Sequence, residues 1–500
     1  MLDNGKCFSK EGEYYKDFLK PRTNNDLRDY LRLGLVPKIP GIYGKEKLED
    51  VCLEDFEDIG KYMVKTDLMS YEEYIEKNGS PYLDAVFLSH AHLDHLHNIT
   101  FMAPEIPIYC SEITKKLLTI ISDLSNDNFL EYSYAVRKLR SDRSSFPGSI
   151  YKKKEYRKRE IKIIDPNTSI EISKENRDFI IHGFPVDHSL PGAMAFKITT
   201  NSGKNIIYTG DIRFHGHEHE KENSLNFINN VGQNPDVLIT EGTRIDDEYE
   251  FTEEDVYNNF ITSIKDDLKL SERLILVSFP WKCLSRFLTV HKIATALNRT
   301  LVIQPKLAYT IHHLQNFELL NVKEILKKEN LKIYLPRKTS MIYSNDDYKT
   351  TKIQISFGVK WTDDLTSLLY STEYGEDIFV RACEIKKNPG DYILHLNFYE
   401  LNELIDICPP ELSYFFNLNT EPFDEEGEIE EKILSNWISR FNLKYSERFH
   451  ASGHASAIQL KEMINKIKPR KIFPIHTEKP ELFNFKNAEI DIIGGYEYHI

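Results

Sequence analysis

His90-Ala91-His92-Leu93-Asp94-His95 places four imidazole or carboxylate groups within six residues, directly after the apolar stretch YLDAVFLS at 82–89. Imidazole and carboxylate suit zinc, carboxylate also suits manganese, and sites of this chemistry leave coordination positions for water. A turn running from a strand into a helix can direct His90 and His92 at one ion and Asp94 and His95 at another. A second histidine run, His215-Gly216-His217-Glu218-His219, follows no clear buried strand and reads as a solvated loop.

Working outward, other apolar runs of strand length also end at residues capable of chemistry. They are DFIIHGFPV before Asp187 and His188, NIIYTG before Asp211, DVLIT before Glu241, YSERF before His450 and RKIFPI before His476. Polar groups at strand ends gather along one sheet edge, where an α/β protein places its site. Between residues 247 and 440 the pattern changes to helix-like stretches, such as CLSRFLTVHKIATAL, alternating with short strands, such as RLILVSF and YILHLNF. That is a separate parallel α/β domain, inserted between two candidate site residues, Glu241 and His450.

The 500 residues allow two or three domains, and 41% hydrophobic content fills real cores. No stretch approaches the roughly 18 apolar residues that cross a bilayer, and the first residues lack a signal-peptide pattern. The six cysteines form no CxxC pair, so neither a disulfide framework nor a thiolate zinc site is expected, and a cytoplasmic location follows. A net charge of -14 excludes a protein coated in positive potential. Charge is nevertheless segregated: ten Lys/Arg face three acids between Arg137 and Glu160, and seven acids with no base lie between Glu421 and Glu431. The basic run, Lys152-Lys153-Lys154 included, is either a solvated face or a nucleic-acid contact surface.

The HxHxDH spacing resembles the signature of the metallo-β-lactamase superfamily. By that resemblance His188 in VDHSLPGA is a ligand of the first ion, Asp211 in YTGD bridges two ions, and His476 in FPIHTE is the last ligand of the second. Glu241 in DVLITEGT, His454 in HASGHAS and His476 resemble motifs A, B and C of the β-CASP nucleases, and these motifs are similar to those of ribonuclease J. The resemblance implies an α/β fold: the αββα metallo-β-lactamase sandwich, apparently lacking its first strands, with an inserted parallel α/β β-CASP domain. Residues 1–246 and 441–500 would form the former and 247–440 the latter. Leu2-Asp3-Asn4-Gly5 looks like the superfamily's aspartate motif without the strands that precede it, which suggests a late-started chain whose supporting Asp3 is poorly anchored.

The implied chemistry is phosphodiester hydrolysis with two divalent ions, Zn2+ or Mn2+, held by His90, His92, Asp94, His95, His188, Asp211 and His476. Asp94, Glu241 and His454 would be catalytic, with Glu241 keeping His454 protonated as general acid. His450, Ser452 and His454 would hold the substrate phosphate, because their loop precedes the helix-like SAIQLKEMINKI, whose N-terminal dipole favours an anion. The substrate class implied is single-stranded nucleic acid, RNA before DNA, cleaved internally or from the 5′ end. A nuclease like the DNA cross-link repair branch is the nearest alternative. A small ester or thioester hydrolase and a silent RNA-binding subunit are more distant ones.

Overall fold

Strands alternate with helices through most of the computed structural model, which describes all residues except 16–18, 23–25, 50–65, 125–132, 140–150, 175–176, 338–377, 421–424, 447–448, 487 and 493–500. The chain falls into two units, Met1–Asp165 and Pro166–Ile500.

In the first unit, Val86–Phe87, Ile108–Cys110 and Ile161–Ile163 form a parallel sheet with Ile108–Cys110 in the centre. Buried Val86, Phe87, Ile108 and Cys110 give these short strands two covered faces, as parallel sheets require. The helix Glu112–Leu124 turns Leu117, Leu118, Ile120, Ile121 and Leu124 inward. The start of the chain corrects the expectation of a loose terminus. The Phe87 N–H donates to the Met1 carbonyl at 2.8 Å, and the Asp3 N–H donates to the Phe87 carbonyl at 2.9 Å. Leu2 thus makes a parallel bridge with Phe87, and the edge of Val86–Phe87 is occupied. Next, the Asn4 N–H bonds the His95 carbonyl and the Lys6 N–H bonds the Leu93 carbonyl. Gly5 permits this close approach, since a Cβ there would fall on the Asp94 carbonyl. The backbone of Ser133–Leu139 and Tyr151–Lys158 forms an antiparallel pair. The basic run lies largely outside the described residues, as do the side chains of this pair.

Among the described residues, the second unit holds two seven-stranded sheets. In one, Ser169–Lys174, Arg177–Pro185, Met194–Thr200 and Asn205–Tyr208 run antiparallel. Val237–Glu241, Lys471–Ile475 and Glu489–Ile490 then continue the sheet in parallel. The helix Ala457–Ile467 buries Leu460, Met463, Ile464 and Ile467 at helical spacing. These share a core with Phe227, Leu238 and Ile472. Each such side chain contributes about 1.5–3 kcal/mol by leaving water. The other sheet is wholly parallel, ordered Phe379–Val380, Leu331–Tyr334, Thr300–Ile303, Tyr392–His395, Ile275–Ser278, Tyr414–Asn417 and Lys444–Tyr445. All its strands lie between Val237–Glu241 and Lys471–Ile475 in sequence, and those two strands are paired neighbours. The chain therefore leaves one sheet, builds a second and returns beside its point of departure. Arg244 and Ser456, on the outgoing and returning segments, form a parallel bridge. This is the α/β class with an inserted parallel domain that the sequence predicts.

Candidate active site

In the first unit, the HxHxDH run starts three residues after Val86–Phe87, and His92 caps a one-turn helix, Leu93–Leu96. The His90 Nε2 and His92 Nδ1 converge to 3.0 Å. Asp3 is fully engaged: it accepts the Ser89 N–H at 2.7 Å and the Ser89 hydroxyl at 2.6 Å, and it lies 2.7 Å from the His95 Nδ1. A carboxylate on Nδ1 fixes that nitrogen as the donor and leaves the Nε2 lone pair for an ion, the arrangement that orients metal-binding histidines. The His95 Nε2 is then 3.8 Å from the Asp94 Oδ2, too far for a hydrogen bond.

The second unit repeats this logic. His188, at the end of Arg177–Pro185, donates its Nδ1–H to the Gly453 carbonyl at 2.6 Å. Its Nε2 faces the Asp211 Oδ2 at 3.8 Å. Two ligands on one tetrahedral ion with bonds of about 2.0–2.1 Å stand roughly 3.4 Å apart, so both 3.8 Å pairs have a spacing an ion would close. The donor sets, imidazole nitrogens with carboxylates and a fixed outer partner, fit a divalent metal in each unit. His476 ends Lys471–Ile475 at a φ of 50°. Its Nδ1 is 2.7 Å from the Thr243 hydroxyl, and that hydroxyl also donates to the His476 carbonyl.

Glu241, the last residue of Val237–Glu241, is buried. One carboxylate oxygen accepts the Ile212 N–H at 2.9 Å and the other lies 2.9 Å from the His454 Nδ1. Burial opposes the charged form of His454, but Glu241, with Asp211 behind it, outweighs burial and raises the imidazole above its ordinary pKa. Asp211, Glu241 and His454 form one compact group, and the His454 ring sits 5.4 Å from that of His188 and 5.3 Å from that of His476. Strand register explains the grouping, since Glu241 pairs with Ile475 and so emerges next to His476.

The loop reads differently from its sequence in two respects. The N-terminus of Ala457–Ile467 is largely filled: Ser456 and Gln459 form a capping box, the Ala457 N–H bonds the Asp247 carbonyl, and the Ser456 hydroxyl donates to Glu250. Of the first-turn N–H groups, only that of Ile458 has no protein partner among the described residues. Ser452 lies ahead of it and accepts the His454 N–H at 3.1 Å. His450 is held at about 3 by burial and by Arg286, and its Nδ1–H donates to the Leu418 carbonyl. The neutral ring therefore offers Nε2 as a lone pair rather than a proton.

The run His215 to His219 is not a solvated loop. His215 is buried, with Nε2 at 2.9 Å from the Ser452 carbonyl, and burial with neighbouring Arg213 pushes it down to about 4. Sequence reasoning also missed Arg213 and Arg286, both buried and paired with Asp187 and Glu253. The available signal was an arginine two residues after Asp211 in an otherwise apolar strand end.

Two family models match the chain: the beta-lactamase superfamily domain over residues 73–266 and the Zn-dependent metallo-hydrolase RNA specificity domain over 440–491. Ribonuclease J 2 of Streptococcus pyogenes serotype M3 is 26% identical over 142 residues, 28% of this chain and 20% of that protein. Together with the two domain matches, this similarity supports a ribonuclease J-like relationship within the metallo-β-lactamase superfamily. Probable RNase MJ4 of Methanocaldococcus jannaschii is 26% identical over 165 residues, 32% of this chain and 34% of that protein. The matched stretches thus span a fifth and a third of these relatives. A protein of unknown function from Enterococcus faecalis V583 shares the fold, with a TM-score of 0.65 at 20% identity over 99% of this chain and 93% of its own. The β-CASP family is one of metal-dependent hydrolases, and the RNA specificity match covers the segment that carries Ser452, His454 and His476. No helix among the described residues is long and apolar enough to cross a membrane.

Proposed function

We propose that this chain is a ribonuclease J-like nuclease that hydrolyses single-stranded RNA in the cytoplasm, with residues 1–246 and 441–500 as its metallo-β-lactamase part and 247–440 as its β-CASP domain. The observation that carries the proposal is the pairing of buried Glu241, at the end of its strand, with half-buried His454, in the loop ahead of the helix Ala457–Ile467, beside Asp211. A hydrolase of small esters has no need of a large inserted domain.

His90, His92, Asp94, His95, His188, Asp211 and His476 hold two divalent ions, Zn2+ or Mn2+, with Asp3 orienting His95. Ions so held supply an activated water and offset charge on the phosphoryl oxygens. Glu241 has both carboxylate oxygens engaged, one by the Ile212 N–H and the other by the His454 imidazole. It keeps His454 protonated near neutrality, and His454 gives that proton to the leaving oxygen. The hydroxyl and N–H of Ser452 hold the phosphate. His450, whose buried Nε2 carries a lone pair, offers an acceptor instead of a proton for the anion.

Cleavage of end-labelled single-stranded RNA and DNA of one sequence, with zinc or manganese and Asp94→Ala as the blank, tests this. Cutting of RNA in preference to DNA is the expected result. Preferential cutting of DNA would replace the RNA reading with a repair-type one, and inactivity on both by metal-loaded protein would overturn the nuclease reading.

A further inference from the structure

We infer that Arg213, Arg286 and His215 form a buried clamp that sets the peptide orientation of the loop Ala451–His454, and that this clamp makes the loop an anion site. The inference rests on the proposal that this loop holds the substrate phosphate, and it assigns to positioning residues what a helix N-terminus does in many phosphate sites.

Four consecutive carbonyls of the loop are each claimed by a side chain. The Ala451 carbonyl accepts the Arg286 Nη2–H at 3.3 Å. That of Ser452 accepts the Arg213 Nη1–H at 3.2 Å and faces the His215 Nε2 at 2.9 Å. That of Gly453 accepts from His188, and that of His454 from Arg244 at 3.3 Å. Strands and helices pair carbonyls with backbone N–H groups, so a run held entirely by side chains reflects a conformation that no regular element stabilises. In a trans peptide the N–H points opposite to the C=O, so every carbonyl drawn toward the clamp turns the following N–H away from it. The His454 N–H is taken by Ser452, and the Ala455 N–H by the Ile212 carbonyl. The N–H groups of Ser452 and Gly453 have no protein partner among the described residues. Two successive amides left open in this way make a concavity suited to an anion. Gly453 is required by space, since a Cβ there would come 2.7 Å from the Ser189 hydroxyl oxygen and 3.1 Å from the His188 ring.

The clamp itself is rigid. Arg213 is fully buried and bonds Asp187 at 2.7 Å, Glu220 at 3.3 Å and the Ser285 hydroxyl at 3.1 Å. Arg286 is held by both oxygens of Glu253 and also reaches the Leu418 carbonyl. Ser285 and Arg286 open the helix Leu284–Ala296 of the inserted region, so the second sheet's domain sets the loop's geometry. His215 stays neutral, which leaves the arginines as the only charges of the clamp that face the loop from within.

The test uses the metal-loaded full chain and inorganic phosphate as probe, with calorimetric affinity, metal content and thermal unfolding measured together. Arg213→Lys keeps the buried charge but cannot span Asp187, Glu220 and Ser452. Loss of one charge-assisted hydrogen bond corresponds to about a tenfold change in affinity, so phosphate should bind roughly tenfold more weakly with metal content unchanged. If Arg213→Lys does not fold, Ser285→Ala decides, since it leaves all charges in place and loosens Arg213; about a threefold loss is expected. Parental phosphate affinity in the folded variant overturns the clamp. A parental chain that cleaves RNA while Arg213→Lys binds phosphate normally refutes the clamp alone. Phosphate binding that depends on Arg213 in a chain inactive on RNA refutes the nuclease reading alone, and no phosphate binding by the parental chain refutes the loop as an anion site.

Discussion

The runs His90 to His95 and His215 to His219 are alike in composition and differ in how their rings are used. In the first, Asp3 takes one ring nitrogen of His95 and leaves the other toward Asp94. In the second, His215 spends its ring on the Ser452 carbonyl and the Gln459 side chain, and the His217 Nε2 lies 3.0 Å from the Ser285 carbonyl. A histidine that binds a metal needs one nitrogen fixed by the protein and one kept back, whereas a structural histidine gives both to its own fold. Density of histidine in sequence does not separate these cases. What occupies the second nitrogen does.

The comparison is broken most sharply by exchanging the roles of the two runs. Asp94→Ala should lose bound metal by elemental analysis and fall at least about a thousandfold in turnover, while His217→Ala retains its metal. Metal loss in His217→Ala would erase the distinction. His454→Ala should keep both metal and fold yet slow cleavage by about 10²–10⁴; cleavage at the parental rate would remove the general-acid role. Asp3→Ala sharpens the point about the second nitrogen, with metal affinity expected to drop about 10–100-fold in a chelator competition. An unchanged affinity would make Asp3 a purely structural tether.

The smallest effect lies beneath the second run, where Thr289 links His217 to Glu253. Burial works against the charge on Glu253, yet Arg286 overcomes it and lowers the carboxyl from 4.5 to about 2. A depressed carboxylate adds stability that is present above about 4.5 and is lost as pH falls toward about 2. Acid unfolding followed by circular dichroism should therefore steepen across that window. Glu253→Gln should flatten the slope there, and an unaltered slope would deny Glu253 its part.

Much of this was legible beforehand because strand ends are local signals. Val237–Glu241 and Lys471–Ile475 show as apolar runs with a functional residue at or just past each end. The ordering of His90, His188, Asp211 and His476 needed only the sequence. The clamp was illegible because its contacts join residues 239 and 165 positions apart and run from side chain to backbone, which leaves no periodicity. Asp3 was misjudged because sequence shows no pairing partner, whereas the edge of Val86–Phe87 supplies one. The cap of the helix Ala457–Ile467 was illegible in part because Glu250, which accepts from Ser456, is reached only through the fold.

The bridge between Arg244 and Ser456 bears on how such a molecule can be assembled over generations. Val237–Glu241, the helix Ala457–Ile467 and Lys471–Ile475 already make a complete parallel crossover, with the outgoing and returning backbones fastened to each other at its mouth. To the sheet that contains this crossover, everything between those two residues is one long connection. The pairing of Val237–Glu241 with Lys471–Ile475 is thus independent of what the inserted sheet contains, whereas the loop that carries His454 depends on Ser285 and Arg286 of that insertion.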